Sequence, residues 1–516
     1  MIESDGTRRY LGSGNGSVTT TYQTTDGSHI TYVGTTSSGN LYYNTGLSKG
    51  VSLINNRLLI GSITDPNGNF VSISYQSQPP PSCNTGAAFQ WRQAISSITD
   101  TLGRVVSFTY DSCNNLVAIT GPGLGGTPQN PVTTTLAQFD YSINSAISTS
   151  FNGLTVENMP NGVPVLQLNH VYFPATNNGY LFSYSAYGMI YNVSLRRGMS
   201  IDQNGVISAG TENAYVNFNY PTTASSLTDA PAFTQRTESP GATGGANAVY
   251  TYSTSTGSNT KIFTITRPDS STLSLTRSTD TTSVANGLLI QTEIKNASSA
   301  SMAKTVYAYG NDPGGSHQIQ TVTNYDDAAN PIQFNFDFDV YGNVTNKRDF
   351  GFQVNGAWQD QRRTHFVYVT DSNYTNKYMR SLVSEADIYD QHASNNNDSA
   401  GVLVAKTTYV YDDYNAMSGM ENYNGTAAPP GHLTTYDTTV TVRGNVTGKS
   451  DYFDVVAGSL YTWLSKIDIF GQVTQSQVAC CNLKSITYGA ANNWAIPEAV
   501  TSGDNGGHTP DEHGSV

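Results

Sequence analysis

One recurring pattern organises this chain. It reads Asp, two residues, Gly or Asn, a polar residue or Pro, then an apolar residue that opens an alternating run. Copies begin at Asp65-Pro-Asn-Gly68, Asp100-Thr-Leu-Gly103, Asp111-Ser-Cys-Asn114, Asp327-Ala-Ala-Asn330, Asp339-Val-Tyr-Gly342 and Asp468-Ile-Phe-Gly471. Thr441-Val-Arg-Gly444 is a degenerate copy and Asp202-Gln-Asn-Gly205 a weaker one. Aspartate at the head of a turn caps its own backbone two residues on, and Gly or Asn at the fourth position tolerates positive φ. The alternating run that follows marks a half-buried strand. Each unit is thus strand, tight turn, strand. A single hairpin cannot bury its apolar face alone, so the units must stack into a continuous sheet. The fold class expected is all-β: repeated β-hairpins forming a large curved or spiral sheet.

Composition supports this. Only 12% of the residues are charged, against about 25% in ordinary globular chains. Gly (48) and Tyr (33) take up much of the difference; Tyr suits strands and Gly suits turns. A helix bundle and a doubly wound nucleotide fold are excluded by the lack of amphipathic helical stretches. SEADIYDQHA (384–393) is the one helix-like candidate. The pattern divides the chain into N-terminal hairpins (1–122), an irregular β insertion (123–245), a repeat sheet (246–488) and a polar tail (489–516). GPGLGG (121–126) formally fits G-x-G-x-x-G, but no helix follows, so dinucleotide binding is not expected and no cofactor is.

The net charge of −13 repels nucleic-acid phosphate and anionic lipid. No run of 18 apolar residues suggests a membrane span. The N-terminus, MIESDGTRRYLGSG, lacks the apolar stretch of a signal peptide. The chain is then either cytoplasmic or begins inside a longer secreted one. Cys83 and Cys113 flank a hairpin-like stretch and could pair, whereas Cys480 and Cys481 are adjacent, a poor geometry for a mutual bridge; four ordinary thiols, or at most one disulfide, are expected. No Cys/His spacing suggests a metal.

Candidate chemistry is sparse. Asp337 and Asp339 sit two apart in an alternating run and should share a strand face, roughly 6–7 Å apart, a spacing that suits two-carboxylate glycoside hydrolysis. The competing account makes Asp339 the turn aspartate of its repeat and Asp337 a solvated neighbour. Glu385, Asp387 and Asp390 form an acidic group near His392, which a solvated face explains better than a metal or acid/base site. His365 lies in a strand-like run, with no G-x-S-x-G to supply a nucleophile. His508 and His513 lie in the tail. Aromatic residues able to stack on sugar rings include Trp91, Trp358 and Trp463, with Tyr42, Tyr43, Tyr184, Tyr187, Tyr191 and Trp494; cross-strand packing competes for all of them.

At SITDTLGRVVSFTYDSCNNLVAITGPG (97–123) the sequence resembles the YD-repeat of RHS-repeat proteins. Gly103-Arg104, Tyr110-Asp111 and Gly121 match the unit, and FDVYGNVTNKRDFG (338–351) and IDIFGQVTQ (467–475) match it again. The resemblance implies a long β-sheet spiralling into a hollow shell, here a partial one. In bacterial toxins of that family the shell encloses a C-terminal effector released by self-cleavage. Relatives are secreted or surface-exposed, and some bind carbohydrate. The Asp-Pro- and Gly-rich segment that closes the toxin shells is not recognisable, so the self-cleaving aspartates carry over to no residue here. The first functional expectation is a structural or surface-interaction shell, without catalysis of its own, that holds or presents an enclosed or fused domain. The alternatives are a carbohydrate-active hydrolase with a carboxylate site on the concave face, and a non-catalytic surface for glycan or cell-wall polymer.

Overall fold

The computed structural model describes residues 18–23, 29–35, 37–54, 57–76, 94–123, 132–144, 147–152, 165–203, 205–221, 232–240, 245–351, 353, 356–391, 401–422, 431–478, 482–488 and 497–503. Among them, 31 strands form one sheet. Every pairing is antiparallel and sequential, from Val18–Gln23 at one edge to Pro497–Gly503 at the other. A separate two-stranded ribbon, Ser200–Ile201 with Ile207–Ser208, contains the weak copy at Asp202. The pairing of Leu116–Pro122 with Thr133–Asn144, and of Gln235–Ser239 with Ala248–Gly257, carries the sheet through both edges of the segment 123–245.

The turn that the sequence advertises is built as its residues dictate. In Asp65–Asn69 the aspartate N–H donates to the fifth carbonyl (2.9 Å), and the fourth N–H returns to the aspartate carbonyl (3.1 Å). Oδ1 of Asp65 accepts from the N–H of Asn67 and of Asn69, and Oδ2 from Asn69 Nδ2. The two Oδ1 bonds recur at Asp100, Asp111 and Asp339. The fourth residue has positive φ throughout: Gly68 85°, Gly103 80°, Asn114 62°, Gly342 81° and Gly471 83°. This is a type I turn ending in a left-handed bulge residue, one of the common hairpin connections.

One register was misplaced by a residue. The third-quarter copy is headed by Asp326, not Asp327: Asp326 Oδ1 accepts from Ala328 and Asn330, and Ala329 carries the positive φ of 62°. Two adjacent aspartates offer both frames, and the Asn330 amide on Oδ2 selects the earlier one. The backbone of the turn also forms without aspartate, at Ser185–Met189, Arg267–Ser271 and Asn296–Ala300.

The helix-like segment is a strand. Val383–Asp390 pairs on both sides, with Asp360–Tyr368 and Val402–Tyr411. Ala386 and Ile388 alternate with Glu385, Asp387 and Tyr389, and two flanking strands outweigh the helical propensity of Glu and Ala. The described helices are one turn each, Ser372–Thr375 and a 3-10 turn at Tyr414–Met417.

Tyrosine has a role that the composition did not disclose. At the end of its strand, Tyr110 donates its hydroxyl to the carbonyl of Ile95, the first residue of the preceding strand (2.7 Å). Tyr368 does the same to Val344, Tyr411 to Val383 and Tyr488 to Val473. Burial, then the nearby Asp339 charge, pushes Tyr368 up to about 12; burial does the same for Tyr411. A phenol with a raised native pKa contributes stability that is full below its unfolded value of about 10 and lost as pH rises through about 12. Ultraviolet titration should therefore show these tyrosines ionising only above pH 11, and Tyr368→Phe should remove about 1 kcal/mol from the unfolding free energy.

The apolar cores are small. Ile30, Tyr32, Leu41 and Val51 make one, and Tyr172, Met199 and Ile207 another. A sheet one layer thick accounts for this, because most side chains on both faces are only half covered.

Candidate functional site: the seam of the coiled sheet

The sheet coils back on itself. Hairpin tips from the first hundred residues touch tips three to four hundred residues later. His29 Nε2 lies 3.2 Å from Asp312 Oδ2. Asn44 Nδ2 donates to Tyr341 O (2.8 Å), and Arg380 N donates to Asn44 O (2.7 Å). Tyr42 stacks on Tyr378, with ring centroids 4.2 Å apart. Farther along, Asn67 and Asn445 exchange side-chain amide bonds, and Asn69 Nδ2 donates to Phe470 O. Phe70 N–H donates to Gly431 O, and Gly431 N–H to Thr101 O. Gly68 has no room for a side chain, since a Cβ there would sit 2.5 Å from Tyr436 Cγ.

Arg443 pins this seam. It is 1% exposed. Its Nε donates to Val440 O, Nη1 to Asn67 O and Ile469 O, and Nη2 to Tyr436 O and Asp437 O, over 2.6–3.0 Å. A guanidinium has five N–H donors in a rigid fork, and all five end on backbone carbonyls. One of those carbonyls belongs to the first coil and four to the second.

Arg443 sits where it does because a repeat turn has been split. The degenerate copy at 441–446 lacks its aspartate, and Asp412 supplies the missing carboxylate. Asp412 N–H donates to Asn445 O, the first-to-fifth bond of every other turn. Its Oδ1 accepts from Asn445 N–H, and its Oδ2 from the N–H of Arg443 and Gly444. Tyr411 and Val446 pair directly across the hairpin. Residues 413–443 are thus an excursion inserted between the first and fourth positions of one turn, and they carry His432, Tyr436 and Arg443 to the first coil. The two halves, Tyr411-Asp412 and Gly444-Asn445, were the signal in the sequence; their separation concealed it.

The candidate catalytic pair does not stand on one strand face. Asp339 lies beyond the end of strand Pro331–Phe338, after a register shift at Asp337/Phe338. Its Oδ1 accepts two turn N–H groups and its Oδ2 accepts Asn343 Nδ2, so the turn occupies both oxygens. Asp337 is exposed and opposite Asn346. Cross-strand register then runs in one row through His365, Asp387, Lys406 and Tyr452. Lys406 Nζ is 2.5 Å from Glu385 Oε2 and 3.7 Å from Asp387 Oδ1. The Lys406 hydrogen bond holds the Glu385 carboxyl below its usual range, while burial pushes Asp387 up. Asp390 alternates to the other face, opposite Arg362. His365 Nδ1 bonds Asn346 Oδ1 (2.9 Å).

Of the candidate binding rings, Trp463 packs under Lys449 Nζ, 5.0 Å from the ring centroid. Trp358 lies 6.3 Å from Phe350. Tyr184 and Tyr187 spend their hydroxyls on Leu168 O and Pro221 O. Trp91, Trp494, His392, His508 and His513 lie outside the described residues. Among the described residues no group of three metal-ligating side chains converges, and no helix is long and apolar enough to cross a membrane.

Cys113 is disulfide-bonded. Cys83, Cys480 and Cys481 lie outside the described residues.

No curated protein matches the sequence. Among solved structures, the chain is similar to the Photorhabdus luminescens Tc holotoxin pore at 12% identity and TM-score 0.36, covering 92% of this chain and 22% of that one. It is similar to TcdB2-TccC3 without its hypervariable C-terminal region at 9% identity and TM-score 0.35, covering 92% and 22%. The N-terminal domain of the Salmonella typhimurium effector SpvB matches at 10% identity and TM-score 0.16, covering 57% of this chain and 88% of that one. The chain spans about a fifth of the length of the two toxin chains. The model of the RHS repeat matches residues 94–123, the stretch that holds the turns at Asp100 and Asp111. Residues 94–123 are thus an RHS repeat, and the turn that this repeat carries recurs along the sheet.

Proposed function

We propose that this chain is a segment of a protein shell whose coiled sheet holds or presents another polypeptide. The seam carries this reading: hairpin tips of one coil are bonded to those of the next, so the ribbon is a wall rather than an open sheet. Small-angle X-ray scattering tests it. A compact solid of 516 residues has a radius of gyration of about 24 Å. A hollow coil should exceed that clearly, with pair distances displaced towards the diameter. A profile of solid, compact form would sink the proposal.

The shell works outside the reducing cytosol, in this reading. The disulfide at Cys113 supports it, since such bonds persist in oxidising compartments. Mass spectrometry after alkylation should find Cys113 blocked without reductant and modified after it. Reduction should also lower stability by about 2–4 kcal/mol. Alkylation of Cys113 in the unreduced native protein would count against it.

A further inference from the structure

The excursion 413–443 is tied to the strands beside it at more than one point. At its far end the tie is the Arg443 fork. Nearer its start the tie is a backbone bridge: Glu421 N–H donates to Ile467 O and Ile469 N–H to Glu421 O, both at 3.0 Å. This bridge sets Glu421 beside Asp468, the head of a repeat turn.

That turn departs from the others at its second carboxylate oxygen. In the copies at Asp65, Asp111, Asp326 and Asp339, the fifth-position Asn side chain bonds Oδ2; at Asp100, Arg104 Nε does so. At Asp468 the fifth residue is Gln472. Oδ1 still accepts the N–H of Phe470 and of Gln472, both at 2.9 Å. Among the described residues no side chain bonds Oδ2, although Asp468 is only 7% exposed. Asp468 and Glu421 line one cavity of about 240 Å³. Lys466 Nζ lies 2.7 Å from Glu421 Oε1, so Glu421 has a counter-charge in contact and Asp468 has none.

We infer that Asp468 and Glu421 form a proton-operated latch on the excursion: a proton on Asp468 Oδ2 closes the bridge, and its loss leaves two carboxylates facing one another and loosens it. The proton turns an acceptor without a partner into a donor, with the Glu421 carboxylate beside it to accept. Without the proton, two like charges share a site largely closed to water, where repulsion is poorly screened.

The groups around Asp468 set the direction. Burial first, with help from the Glu421 charge, pushes its carboxyl up to about 6, against the two turn N–H groups and the Arg443 charge. Tyr488 faces it from strand Asn482–Tyr488, its hydroxyl held by Val473 O. His432 meets Phe470 edge-on, 4.7 Å between centroids; burial lowers its imidazole, so acid acting on His432 opposes the latch. A carboxyl whose native value is raised lends stability that is full below its free value of 3.8 and lost as pH rises through about 6. The bridge is therefore tightest in acid and slackens towards neutrality, whether or not the coil holds another polypeptide.

The test is amide hydrogen exchange on the full chain between pH 4 and 8, with each rate divided by the intrinsic rate at that pH. Protection of the Glu421 and Ile469 amides should fall ~tenfold or more between pH 4 and 7 in the wild type. Asp468→Asn should hold both near the wild-type acid level across the range. It should keep the turn, because Asn296 heads the same turn here with its Oδ1 accepting from Ser298 and Ala300. His432 is present in both proteins, so the difference between them reports Asp468. Glu421→Gln leaves the turn intact and should move the fall to lower pH; it carries the test should Asp468→Asn fail to fold. The same pH dependence in the wild type and a folded variant, or wild-type protection that rises towards neutrality, would overturn the inference.

Discussion

Arg443→Met should detach one coil of the sheet from the next while leaving both as sheet. The side chain is buried and its five N–H groups satisfy five carbonyls. Methionine fills similar volume but donates nothing, so those carbonyls lose their partners in a site closed to water. Breaking a buried charged interaction from one side typically costs about 3–5 kcal/mol. Arg443→Lys should rescue little, because an ammonium cannot reach carbonyls on both sides of a planar fork. Desolvation lowers the Arg443 pKa, but the group stays charged across the physiological range. The loss should be local. In a meander each strand rests on its two neighbours, so stability is nearly one-dimensional. The seam adds a second dimension by joining residues 283–401 apart in sequence. Far-UV circular dichroism should therefore change little, while the radius of gyration rises and residues 65–70 become open to protease. An unchanged radius, with unchanged proteolysis, would show that Arg443 does not hold the coils together.

The local unit of this fold was legible because its chemistry is local. Asp, Gly and Asn at fixed spacing specify a turn whose bonds all lie within five residues, and Asp65, Asp100, Asp111, Asp339 and Asp468 all form it. What escaped depends on partners far away in sequence. Tyr368 reads as a generic strand residue until Val344 is seen under its hydroxyl. Asp326 and Asp327 offer two frames that only the folded amide of Asn330 distinguishes. Val383–Asp390 resembles a helix until two strands flank it. The seam was invisible for the same reason, since nothing near Asn67 announces that its carbonyl will meet Arg443. At Asp337 and Asp339 the sequence offered a two-carboxylate pair and a turn aspartate at once, and the turn engages both oxygens of Asp339.

Excising residues 413–443 should separate what the split turn does locally from what it does for the coil. Joining Asp412 to Gly444 through two residues restores the spacing of an ordinary repeat turn. Asp412 already makes the first-to-fifth bond to Asn445, and Gly444 already holds a positive φ of 75°. The hairpin of Val402–Tyr411 with Val446–Asp454 should therefore keep its register, Lys406 opposite Tyr452 through Tyr411 opposite Val446. Closing a loop some sixteen times shorter is cheaper by about 2 kcal/mol, taking ~0.6 kcal/mol per halving. The hairpin itself should be more stable for it. The seam should weaken, because Arg443, His432 and Gly431 leave together. Hydrogen exchange reads both effects in one sample. Amides of Val446–Asp454 should keep or gain protection. The amide of Phe70, which donates to Gly431 O, should lose it. Loss of the hairpin itself would mean that Asp412 and Gly444 are not two halves of one turn. Retained protection at Phe70 would mean that the contacts left in place, among them His29–Asp312, Asn44–Arg380, Asn67–Asn445 and Asn69–Phe470, hold the coils without the excursion.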